Sequence, residues 1–208
     1  MARPGGLDCL DELIAPPAVR PAEAHEVGRV ESMSSPPHNL RVALDRWIGA
    51  GAEAALRVTA KLWWFWWVRG YFREGRSWLE RALAGDGAGL PAVRARALIG
   101  AGTLAESQGD YDEAIALHEE ALTIYRSLDD QHGMTEALES LGSIAQDRGD
   151  YAAARAYHEE ALALATALDD QQGIAHALLN LGSVAAYQGM DERAVALKTQ
   201  ALSLLADL

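Results

Sequence analysis

Half of the 208 residues are apolar and 23% are charged, enough apolar material for a packed core. The formal charge of −12 is uneven: residues 1–90 carry 11 basic and 11 acidic side chains, residues 91–208 carry 7 and 19, so direct nucleic-acid binding is disfavoured in the C-terminal part, which has little positive charge to displace counterions from a phosphate backbone. One cysteine, Cys9, excludes an intramolecular disulfide and a cysteine-rich metal centre; the longest hydrophobic run, Leu62 to Val68, is too short to cross a bilayer.

Six of the seven prolines stand at positions 4, 16, 17, 21, 36 and 37, and proline neither donates an amide nor tolerates the preceding helical turn. Residues 1–37 are therefore expected to be a flexible leader without long helices. Arg3-Pro4-Gly5-Gly6 and the acids that follow do not suit a signal peptide, so the expected location is cytoplasmic.

A capping helix is predicted from about His38 to Ile48. Trp63, Trp64, Phe65, Trp66 and Trp67 then form a dense aromatic run. On a helix such a run points in every direction, so most of it packs between the cap and the next helices. One or two rings should stay partly exposed, and Trp64, Trp66 and Trp67 are the candidates for an aromatic interface.

From residue 91 onward the chain repeats. Gly109-Asp110-Tyr111 returns as Gly149-Asp150-Tyr151, His118-Glu119-Glu120-Ala121-Leu122 as His158-Glu159-Glu160-Ala161-Leu162, and Leu128-Asp129-Asp130-Gln131 as Leu168-Asp169-Asp170-Gln171, always 40 residues on. Ala95–Gly133 and Thr135–Gly173 are identical at 19 of 39 positions. Within a unit, Ala137, Leu138, Leu141, Ile144 and Ala145 make one helical stripe. Gly149-Asp150 ends that helix and caps the next, which carries Ala154, Tyr157, Ala161, Leu162 and Leu164. Gly102, Gly142 and Gly182 sit mid-helix at a cost of about 1 kcal/mol each relative to alanine. Such a cost calls for close packing, expected here against the alanines of the second helix.

A small residue at the eighth position, Gly-Asp-Tyr at the turn, and alanines three and ten residues after the tyrosine resemble the tetratricopeptide repeat. With Thr135 as position one, Gly142, Gly149-Asp150-Tyr151, Ala154 and Ala161 fit, while Met190-Asp191 replaces Asp-Tyr in the third unit. The resemblance implies an all-α fold, a right-handed α-α superhelix of about four helix pairs. Three 40-residue units would occupy 91–208, preceded by a degenerate, tryptophan-rich unit over 38–90. In that degenerate unit Gly70-Tyr71-Phe72 and Glu80-Arg81-Ala82-Leu83 match the first full unit at an offset of 39. Trp63 takes the place of the mid-helix glycine, and its ring is expected to fill the space left by Gly75.

The resemblance also implies a partner-binding groove on the first helices: Arg96, Ile99, Thr103 and Glu106; Glu136, Glu139, Ser143 and Gln146; His176, Leu179, Asn180 and Ser183. The glutamates suggest a mildly basic protein or peptide partner, with no membrane involved. His118 and His158 lack the second histidine of a zincin helix and are expected to be structural. Gly85-Asp86-Gly87-Ala88-Gly89 lacks the lysine and hydroxyl residue of a phosphate loop. Neither an enzyme nor a cofactor is expected.

Asn39-Leu40-Arg41-Val42-Ala43-Leu44-Asp45-Arg46-Trp47, with the aromatic run and Glu74-Gly75-Arg76-Ser77-Trp78-Leu79-Glu80-Arg81, is similar to the helical arm that follows the nucleotide-binding core of bacterial signalling NTPases and LuxR-type transcriptional regulators. That implies a sensor or regulatory arm, or a fragment of one. A small-molecule sensor with its ligand beside the aromatic run is the alternative. The last helix, Asp191 to Asp207, would lack a polar cap, which points to self-association through that end.

Overall fold

The computed structural model describes residues 38–85 and 89–206, and the expected leader lies outside them. Among the described residues there are nine helices and no strand. They form two compact units that divide after Gln108. The helix from Pro91, expected to open the regular repeats, thus packs with the tryptophan-rich segment.

In the first unit α1 (His38–Gly49), α2 (Ala52–Val68), α3 (Phe72–Leu83) and α4 (Pro91–Glu106) pack together, α2 touching each of the others. Pro91 starts α4 at a position where its missing amide costs nothing. Every residue of α4 from Ala97 to Ala105 is buried, so the C-terminal two-thirds of this helix is enclosed on all sides. Gly70 ends α2 with φ +71°, which lets the amide of Tyr71 reach back to the Trp66 carbonyl at 2.8 Å. Around α3 the Arg41 guanidinium forks onto Glu74 at 2.9 and 2.7 Å, and Trp78 Nε1 donates to the same carboxylate at 3.3 Å. The Arg41 guanidinium beside it holds the Glu74 carboxyl below its ordinary range.

The second unit holds α5 (Tyr111–Leu128), α6 (Gln131–Asp147), α7 (Tyr151–Ala167), α8 (Gln171–Tyr187) and α9 (Asp191–Ala206), each packed on the next. The two aspartates of the Leu-Asp-Asp-Gln link do different jobs. Asp129 and Asp169 take the left-handed conformation at φ 54°, ending a helix in the way glycine more often does. Asp130 and Asp170 cap the next helix, accepting from the amides of Gly133 at 3.0 Å and Gly173 at 2.9 Å. Asp150 does the same for α7 through Ala153 at 3.0 Å.

Packing at the mid-helix glycine differs from the expectation. A Cβ built on Gly142 would fall on the ring of His158, not on an alanine. The residue 40 positions on, Lys198, stands over Gly182, where a Cβ would lie 2.8 Å from its Cγ. Clearance for a long or ringed side chain is what the glycine supplies. The ring placement expected in the first unit is also corrected. Gly75 faces Trp66, whose Cβ would be 2.7 Å from an added Cβ, and Trp63 lies instead over Gly100, at 2.5 Å. Rings do fill the space above glycines, but the pairs are shifted by one helical turn.

Candidate partner-binding faces

In the second unit the outward face of α6 and α8 is polar. Glu136 is exposed, and Glu139, Ser143 and Gln146 are half-buried on α6; His176, Leu179, Asn180 and Ser183 are half-buried on α8. The Ser143 and Ser183 hydroxyls donate to the carbonyls of Glu139 and Leu179, each at 3.0 Å, which turns their remaining lone pairs outward. Neither helix contains lysine or arginine, and the face carries two glutamates. Tyr187, absent from the expected set, is 63% exposed at the end of α8 and stacks on Tyr151 with centroids 5.7 Å apart. Its position 40 residues after Asp147, next to Gln146, was the available signal.

The first unit carries a different face. Arg96 is exposed and Glu106 half-buried, but Ile99 and Thr103 are 1% and 7% exposed, so neither offers a partner much surface. Thr103 donates to the Ile99 carbonyl at 3.0 Å, which satisfies its buried hydroxyl within the helix. Of the three interface tryptophans, Trp66 is 0% exposed and drops out, because Gly75 leaves room for it in the core. Trp64 and Trp67 are half-buried and stack at 4.9 Å, and Trp67 Nε1 donates to Ser107 Oγ at 3.2 Å. At the repeat offset of 39, Trp64 and Trp67 correspond to Thr103 and Glu106, and Arg57 to Arg96. The two half-buried indoles thus stand at the register that the expected groove would have in the degenerate repeat. An open surface recess of about 290 Å³ in this unit is lined by Arg73, Arg76, Ser77, Glu80 and Gln108, with no tryptophan among them.

His118 and His158 are buried, with both ring nitrogens of His118 and Nδ1 of His158 unpartnered. Burial lowers each to about 4, so at neutral pH both are uncharged packing groups. Among the described residues no group of three or more His, Cys, Asp or Glu side chains is placed to hold a metal ion, and no helix is long and apolar enough to cross a membrane.

Two family models, each described as Tetratricopeptide repeat, match residues 97–131 and 133–207. The chain carries tetratricopeptide repeats. Among solved structures, BtubC from P. vanneervenii is similar with a TM-score of 0.71 at 21% identity, over 80% of this chain and 70% of that one. Two crystal structures of nearly identical TPR-like repeats of kinesin-light-chain type from Podosopora anserina have TM-scores of 0.69 and 0.68 at 16% identity, over 100% of this chain and 98% of theirs. These likenesses establish the tetratricopeptide-type helical solenoid as the fold. No curated protein matches the sequence.

Proposed function

We propose that this chain is a non-catalytic scaffold that takes a basic peptide on the α6–α8 face. It would serve as the sensor or regulatory arm of a cytoplasmic bacterial signalling or transcriptional regulator. The observation that carries this reading is the face itself: Glu136 and Glu139, half-exposed Ser143, Asn180 and Ser183, and no lysine or arginine on either helix. Carboxylates bordered by amide and hydroxyl groups suit an extended backbone with cationic side chains, with steering that weakens in salt. The test is fluorescence anisotropy with labelled lysine- and arginine-rich peptides and their glutamate-substituted counterparts. Basic peptides should bind at least about tenfold more tightly, roughly 1.4 kcal/mol, and Glu136→Lys with Glu139→Lys should abolish that preference. Equal binding of both peptide classes would defeat the reading.

Self-association through α9 belongs to the same proposal. Leu202 and Leu205, both exposed, stand 40 residues after Leu162, which packs against Ala175, Leu178 and Ala201, and after Ala165, which is buried. The outer side of α9 thus has the register of a stacking face, suited to a second copy. Light scattering should give a dimer that Leu202→Glu converts to a monomer; a monomeric wild-type chain at all concentrations removes this part.

A further inference from the structure

The α8 side of the candidate face ends on an aromatic ring. His176, Asn180, Ser183 and Tyr187 follow one another at spacings of four, three and four, so Tyr187 continues their row by one helical turn. Its ring is exposed but not loose. One side lies on Tyr151, with the two rings 7° from parallel and their centroids 5.7 Å apart. Tyr151 in turn packs on a buried cluster of Ala145, Ala154 and Val184, which come from α6, α7 and α8. The core thus holds the Tyr187 ring in place and leaves its other side to solvent.

The counterpart of Tyr187 on α6, 40 residues earlier, is Asp147. Asp147 is exposed, and its neighbour Arg148 is turned away to Asp112 at 2.6 Å. Tyr151 begins α7 just across the turn from Asp147, so the ring that rests on Tyr151 is brought toward this carboxylate. Both residues end their helices, where the aligned peptide dipoles favour a cation, and neither α6 nor α8 has a basic residue in its last turn. Ring, carboxylate and helix ends together suit one kind of side chain. A guanidinium is flat, stacks on an aromatic face within about 6 Å of its centroid and forks onto a carboxylate at about 2.8 Å. Those two distances fit between packed helices about 8–10 Å apart, and α6 and α8 touch. An ammonium offers a point charge, with neither the plane nor the fork.

We propose that Tyr187 and Asp147 form an arginine-selective seat at the end of the α6–α8 face, with a partner's guanidinium stacked on the open side of the Tyr187 ring and forked onto Asp147. The seat rests on the reading of that face as a site for a basic peptide and adds which cation the peptide carries there. Glu136 and Glu139, in the first half of α6, select for positive charge; the seat selects arginine over lysine.

Two measurements on the full chain separate the seat from the wider face. In fluorine NMR of the fluorotyrosine-labelled chain, with Tyr187→Phe and Tyr151→Phe assigning the signals, N-acetyl-arginine amide should shift Tyr187 and Tyr151. N-acetyl-lysine amide should leave both in place, and Asp147→Asn should abolish the arginine shift. In fluorescence anisotropy, two basic peptides that differ only in arginine against lysine should differ about fivefold in affinity. Tyr187→Leu should equalise that pair while both still bind more tightly than their glutamate-substituted counterparts. The proposal is overturned if arginine amide leaves Tyr187 unmoved, or if lysine amide moves it as far. It is equally overturned if the preference for the arginine peptide survives Tyr187→Leu. A Tyr187 shift specific to arginine amide, without any preference for basic peptides, would keep the seat and defeat only the peptide reading of the wider face.

Discussion

In the first unit tryptophan rings close the gaps between helices, Trp63 over Gly100 and Trp66 over Gly75. In the second, His158 does so over Gly142, and the side-chain stem of Lys198 over Gly182. What the helix pairs share is therefore a clearance, a missing Cβ opposite a bulky group, and the bulky group can come from either helix. The surfaces differ as well: an indole pair in a row with Arg57 and Lys61 on α2, against a glutamate- and hydroxyl-lined face on α6 and α8. One fold thus presents two chemically opposite faces, set by a few side chains at equivalent registers.

Acid should separate the two units most clearly. Burial lowers His118 and His158 to about 4 in the folded chain, whereas the unfolded chain binds their protons near 6.5. Their contribution to stability is complete above about pH 6.5, shrinks as pH falls, and is gone by about pH 4. The loss is about 3 kcal/mol for each histidine. Glu74 is shifted downward instead, so its share persists until pH drops below the ordinary carboxylate range. Urea titrations followed at each pH should show the second unit weakening first, and His158→Leu should flatten its slope. Equal pH dependence of the two units would break the comparison.

Filling a clearance comes next. Gly100→Leu and Gly142→Leu should each cost about 3 kcal/mol by overpacking Trp63 or His158. Gly142→Ala combined with His158→Ala should cost less than the sum of the two single changes, a coupling that a double-mutant cycle in urea reads directly. Additive costs would mean that the ring and the glycine do not answer one another. Smaller still is the loss of a cap: Asp130→Ala or Asp170→Ala should cost about 1 kcal/mol, measured by thermal denaturation. Arg126→Ala, which removes an exposed 2.8 Å pair with Glu160, should change stability by less than about 1 kcal/mol.

The helix pairs and their turns were legible because they depend on neighbours in sequence. Gly149 at φ +77° and the capping side chain of Asp150 are local solutions to a helix end, and the 40-residue recurrence announces them. The capping helix expected near 38–48 runs His38–Gly49, for the same reason. Less was legible at the candidate faces. Glu139 and Ser143 are half-buried on their helix, but Ile99 and Thr103 at the same registers are buried, since exposure depends on what packs beside a helix. The aromatic run could not be sorted by inspection either: Trp63 and Trp66 are one turn apart, and either ring could have met Gly75.

The amino-acid sequence by itself determined the fold class, the repeat length, the turn chemistry and the uneven charge, because each follows from local propensity, spacing or composition. Tertiary structure alone decided which ring fills which glycine and which tryptophans reach the surface. It also decided that two aspartates in one link perform different tasks. A helix turns by about 100° per residue, so a small rotation in packing reassigns every contact while leaving the pattern in the sequence unchanged.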